Sequence, residues 1–173
     1  MQSVCSFNVR RIGKRFVVEV RGFSGIDRLF QFDTGASVSL IGLDTVCESP
    51  ESQNRLLKIL EEEIKEQDIQ KDAVSAQTVT NEEVTVYPCV CRGIRIQGTA
   101  PIDFYFHIYL GKIRLPLIGF DYIDDCMFHH NINGDINILA VAENVGKRFY
   151  RQKVIDFNHV MELLNKEESG SNA

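Results

Sequence analysis

The strongest constraint on this chain is five residues long. Asp33-Thr34-Gly35-Ala36-Ser37 closes one apolar run, Leu29-Phe30-Gln31-Phe32, and leads at once into a second, Val38-Ser39-Leu40-Ile41-Gly42. Such flanks predict two short strands with a carboxylate at the joint. An aspartate at the end of a buried strand is expensive to ionise unless hydrogen bonds reach it. Gly35 has no β-carbon, so the backbone can turn tightly and aim an amide at the carboxylate. Thr34 and Ser37 add hydroxyls that can orient the loop. This is the composition of a loop that presents a reactive carboxylate.

A second segment, Leu117-Ile118-Gly119-Phe120-Asp121-Tyr122-Ile123, places glycine after two apolar residues, which lets a strand approach another backbone closely. Around these two segments the chain reads mostly as β. Residues 15–21 and 28–33 are predicted strands joined by Gly22-Phe23-Ser24-Gly25. Val74–Val79 and Val84–Tyr87 flank Thr80-Asn81-Glu82-Glu83, the pattern of a hairpin. Further strands are expected at Gly93–Gly98, Phe104–Leu110 and Ile136–Val141, the last after a turn at Asn133-Gly134. Phe120 to Cys126 reads as a short helix.

Two stretches carry a longer helical period. In 50–72, Leu56, Leu57, Leu60 and Ile64 share a face, with Glu61, Glu62, Glu63 and Lys65 largely elsewhere, Pro50 in the first turn and Ser49 as the cap. Near the end, Asp156 can cap a helix whose stripe is Val160, Leu163 and Leu164. From Glu167 the chain is small and polar and expected to fray. The acidic run of the first helix is read as its solvated face, and the basic cluster Arg10, Arg11, Lys14, Arg15 and Arg21 as a solvated strand edge.

The 173 residues suit one domain, and the formal net charge of −5 argues against nucleic acid as a partner. No apolar run approaches the roughly 18–20 residues that span a bilayer, and a basic start followed by an apolar stretch is missing from residues 1–15. The expectation is a cytoplasmic protein without membrane contact. The odd, scattered cysteines Cys5, Cys47, Cys89, Cys91 and Cys126 suggest free thiols. Cys89-x-Cys91 with Cys126-x-x-His129 and His130 invites a zinc reading, but alternate strand residues share a face, so two buried thiols are the simpler account and no metal or other cofactor is expected. His107 is read as a packed or surface residue, and Asp121 as helix-start or surface.

Taken together, residues 15–142 resemble the retropepsin-like aspartic peptidases, the family of retroviral and retrotransposon proteases and their cellular relatives. Asp33-Thr34-Gly35 matches the family's catalytic triplet, Ala36-Ser37 its continuation, and Leu117-Ile118-Gly119 its later apolar-apolar-glycine segment. Residues 74–87 occupy the place of the family's flap, so Thr78, Val79, Thr80, Asn81 and Glu82 are implied to touch substrate. The resemblance implies a mostly β fold, a closed barrel forming one lobe per chain, here with a helical insertion at 50–72, a C-terminal helix at 156–166 and a flexible tail at 167–173. The insertion, the glycine-poor flap tip and the region beyond 142 depart from the compact family pattern.

Peptide hydrolysis by carboxylates takes two of them, one ionised to draw a proton from water and one protonated to polarise the scissile carbonyl. The chain has one Asp-Thr-Gly triplet, so the expectation is a homodimer acting on a peptide or protein substrate, with Asp33 from each subunit facing the other. The resemblance implies that the Thr34 hydroxyl reaches across the dimer axis. The alternative is a non-catalytic member of the same fold that binds a peptide or protein in its cleft.

Overall fold

A computed structural model describes residues 4–23, 26–33, 35–75, 83–97, 101–110, 115–123, 126–130, 136–141, 147–150 and 152–170. The elements run β1 (Val4–Ile12), β2 (Arg15–Phe23), β3 (Ile26–Phe32), β4 (Leu40–Gly42), α1 (Leu43–Val46), α2 (Pro50–Gln67), β5 (Asp72–Ser75), β6 (Glu83–Ile96), β7 (Ile102–Tyr109), β8 (Leu117–Ile118), α3 (Phe120–Ile123), β9 (Cys126–His130), β10 (Ile136–Val141), a 3-10 turn (Lys147–Phe149), β11 (Ile155–Asp156) and α4 (Phe157–Gly170).

The architecture is mostly β. Six strands close a ring in the order β6-β7-β4-β8-β3-β2, with β2 returning to β6. Closure falls where two glycines cross. Gly22 on β2 and Gly93 on β6 have φ of 111° and 80°, and a β-carbon on Gly22 would stand 2.9 Å from the Gly93 carbonyl oxygen. Register shifts at both places let the strands bend as a barrel corner requires. Outside the ring, β1 pairs with β10 and β10 with β9, all antiparallel.

Several boundaries differ from the sequence reading. The separate strands read at 84–87 and 93–98 are one long β6, because the extended chain runs on through Pro88 and bulges at Gly93 rather than breaking. The short helix ends at Ile123, and Cys126, expected to close it, opens β9. Strand β1 covers part of the basic cluster read as a solvated edge: Arg10, Arg11 and Ile12 pair antiparallel with Val17, Phe16 and Arg15 of β2 across a turn at Gly13, and residues 4–9 pair with β10.

Inside the barrel sits an aromatic cluster. Phe23 stacks on Phe30 at 5.7 Å and meets Phe104, Phe106 and Phe157 edge-on at 6.0, 5.4 and 6.3 Å between ring centroids. Edge-to-face packing at such distances adds about 0.5–1.5 kcal/mol per pair beyond area burial. Helix α2 begins as the sequence predicts, with the Ser52 amide donating to Ser49 Oγ at 3.1 Å and Pro50 in the first turn, and it buries Leu56, Ile59 and Leu60. Helix α4 is capped by Asp156, which accepts from the Asn158 amide at 3.2 Å, and buries Phe157, Val160 and Leu164. It runs through Gly170, past the point where fraying was expected, because Glu168 is tied back to α2 by the Ser52 hydroxyl at 2.8 Å and the Arg55 guanidinium at 3.4 Å. Among the described residues no helix is long and apolar enough to cross a membrane.

Candidate active site

The Asp33 loop is built by three short strands. β3 delivers Asp33 at its end, and β8 runs parallel beside it, pairing Gln31 with Leu117 and Phe32 with Ile118. β4 follows the loop and pairs with β8 through Leu40 and Leu117. The two segments singled out in the sequence are therefore neighbours in one sheet.

Main-chain hydrogen bonds fix the loop to β8. The Asp33 amide donates to the Ile118 carbonyl at 2.9 Å, and the Phe120 amide donates to the Ala36 carbonyl at 2.7 Å. Gly119 lies between these points with no room to spare: a β-carbon there would stand 2.3 Å from the Val38 carbonyl oxygen and 2.9 Å from that of Ala36. Contacts under 3.0 Å force the backbone apart, so the loop can lie on this segment only while position 119 is glycine.

Within the loop, Gly35 does what its lack of a side chain predicts. Its amide donates to Asp33 Oδ1 at 2.8 Å, and the Ala36 amide reaches the Asp33 carbonyl at 3.3 Å. Asp33 is half-buried just past the end of β3, with one carboxylate oxygen held by a backbone donor. Ser37 is exposed. Thr34 lies outside the described residues, as do Thr78, Val79, Thr80, Asn81 and Glu82 of the expected flap. Of the expected arms, Val74, Ser75 and residues 84–87 are described: β5 and β6 pair antiparallel from Asp72 with Val86 to Ser75 with Glu83.

Two further residues, Ser39 and Asp121, support the loop. Ser39 is fully buried, takes the Gly119 amide on its Oγ at 3.1 Å and donates to Asp121 Oδ1 at 2.7 Å. Asp121 stands in the first turn of α3, the helix-start half of the expectation, but it is fully buried rather than on the surface. It also accepts from the Tyr122 amide at 2.9 Å and the Tyr150 hydroxyl at 2.7 Å. Burial pushes its carboxyl above the ordinary aspartate value, and the donors of Ser39, Tyr150 and Tyr122 pull it back. The available signal was its setting, a lone acid between Ile118-Gly119-Phe120 and Tyr122-Ile123.

The thiols belong to the interior. Cys89 and Cys91 are both buried on β6; burial pushes Cys89 well above its ordinary value and Cys91 to about 12. Buried thiols of that kind stay protonated and unreactive. Cys47 is likewise pushed up by burial, to about 11.

No family model matches the chain, and no curated protein matches it. Among solved structures, the chain is similar to a retropepsin-like aspartic protease from Rickettsia conorii at 14% sequence identity and a TM-score of 0.45, over 82% of this chain and 96% of that one.

Proposed function

We propose that this chain is an aspartic endopeptidase that works as a homodimer, with water activated between the Asp33 carboxylates of two subunits. The observation that carries this reading is the Asp33 loop: a carboxylate at a strand end, accepting the amide of the glycine two residues on, above a segment that only glycine can occupy.

The chemistry follows from charge repulsion. Two carboxylates at hydrogen-bond range cannot both ionise easily, so the pair holds one proton between them. The ionised member draws a proton from water, which attacks the peptide carbonyl, and the protonated member donates to the carbonyl oxygen. Thr34 of each subunit bridges the two loops. An extended peptide lies under the β5–β6 hairpin, with Thr78 to Glu82 over it, and pairs through its backbone. Leu117, Ile118 and Gly119 hold the floor of the loop. The protein acts in the cytoplasm, and cleavage favours acidic to near-neutral pH.

The test is cleavage of a diverse peptide library by wild type and Asp33→Asn at several protein concentrations. The expected result is a loss of ~10³-fold or more in the variant, and wild-type specific activity that falls on dilution. Cleavage surviving in Asp33→Asn refutes the mechanism. Peptide binding without cleavage in both proteins favours a non-catalytic binding module.

A further inference from the structure

Beneath the Asp33 loop, a run of polar side chains extends further than loop support requires. Beyond Asp121, the Tyr150 hydroxyl lies 2.7 Å from Asp121 Oδ2 and 3.1 Å from His107 Nδ1. His107 Nε2 lies 2.7 Å from Asp72 Oδ2. His107 and Asp121 are 3% and 0% exposed, and the imidazole stacks on the Tyr150 ring at 4.9 Å. Asp72 is the first residue of β5, an arm of the hairpin. The run therefore joins the floor of the loop to the base of the hairpin.

A proton count shows what this run needs. Each of the contacts Asp121–Tyr150, Tyr150–His107 and His107–Asp72 takes one proton between its heavy atoms. The phenol brings one, a neutral imidazole one, and ionised carboxylates none. Two protons cannot fill three contacts. With the imidazole proton on Nε2 toward Asp72, Nδ1 and Asp121 compete for the single Tyr150 proton. With it on Nδ1 toward Tyr150, the bare Nε2 faces the Asp72 carboxylate. One added proton closes all three contacts. On His107 it makes an imidazolium; on Asp121 it lets Tyr150 donate to His107 while His107 donates to Asp72.

We propose that Asp121, Tyr150, His107 and Asp72 form a one-proton brace, which closes on taking up a single proton and then holds the Asp33 loop in place against the hairpin base. All four are positioning residues. The effect on cleavage rests on the peptidase reading, whereas the proton count does not.

The groups around the imidazole are Asp72 from β5, Tyr150 after the 3-10 turn, Asp121 from α3 and, near Tyr150, the neutral thiol of Cys89 on β6. Burial pushes His107 below the ordinary value of 6.5, against the pull of the two carboxylates. The brace thus takes its proton on the acid side of an ordinary histidine, and the added proton belongs to the cluster as a whole.

Asp72→Asn tests this. An asparagine amide supplies the missing proton by donating to Nε2, so the brace closes with a neutral imidazole. The measurement is an NMR pH titration of the His107 ring nitrogens and the Asp121 carboxyl carbon without substrate, with His107 assigned by its absence in His107→Gln. In wild type, the His107 and Asp121 signals are expected to move together in one step below the ordinary imidazole value. In Asp72→Asn that step is lost, and His107 stays neutral with its proton on Nδ1. An identical titration in both proteins overturns the proposal, as does a wild-type cluster that takes up no proton across the acid range. Because no peptide is present, failure of the peptidase reading leaves this result standing. Failure of the brace in turn leaves the Asp33→Asn test untouched. With a cleavable peptide, the brace's step is expected in the kcat/KM profile of wild type and absent from that of Asp72→Asn.

Discussion

Strand β7 carries two different interiors on its two faces. Phe104, Phe106 and Ile108 are fully buried on one side, where the two phenylalanines join the aromatic cluster with Phe23, Phe30 and Phe157. On the other side His107 is almost as deeply buried, but its neighbours are Tyr150, Asp72 and, through Tyr150, Asp121. Alternating directions along a strand allow this division. The apolar face is non-directional and tolerates small shifts. The polar face works only if each donor meets its acceptor, so it fixes geometry at the cost of tolerance. The loop bearing Asp33 rests on the polar side.

Substitutions on the two faces should therefore fail in different ways. The largest loss of stability is expected for Phe106→Ala, about 3–5 kcal/mol by chemical denaturation, with the pH dependence of unfolding unchanged in shape. Next comes Gly119→Ala, at about 1–3 kcal/mol from the displaced backbone, with cleavage reduced far more than stability, because the atoms it displaces belong to Val38 and Ala36. Ser39→Ala leaves the Asp121 carboxylate and the Gly119 amide each short of a partner, and should lower stability by about 1–3 kcal/mol. A Ser39→Ala protein as stable and as active as wild type would erase the distinction between the faces.

The polar face should also be the one that responds to pH. His107 sits below its ordinary 6.5 in the folded protein, so just under that value the unfolded chain binds the proton more tightly. This residue's contribution is present above 6.5 and is lost as pH falls toward the folded value. In wild type the decline stops once the brace has taken its proton. In Asp72→Asn the folded imidazole stays neutral, so the decline should continue at up to about 1.4 kcal/mol per pH unit. Denaturation midpoints across the acid range read this difference. The smallest effect serves as a control far from both faces: Ser49→Ala at the α2 cap should cost about 1 kcal/mol with no effect on cleavage.

What could be read from the sequence divides along the same line. Although the helix at Pro50 ends at Gln67 and Asp72, read within the helical insertion, opens β5, the strand ending at Asp33, the Leu117-Ile118-Gly119 segment and the capped start of that helix announce themselves through neighbouring residues. The barrel's glycine crossing and the polar brace do not. Gly22 meets Gly93, Ser39 meets Asp121 across 82 positions, and Tyr150 meets His107 across 43. A buried acid looks like a surface acid until its donors are found, and two of the three here, Ser39 and Tyr150, are remote in sequence.

Pairing of Asp33 with its counterpart is tested most directly by mixing. Wild type and Asp33→Asn, combined in varying ratios and allowed to exchange subunits, are assayed at fixed total protein. If each active site takes one Asp33 from each of two chains, activity per milligram follows the square of the wild-type fraction. A straight line through the same points would mean that each chain cleaves by itself, and the paired-carboxylate account would be wrong.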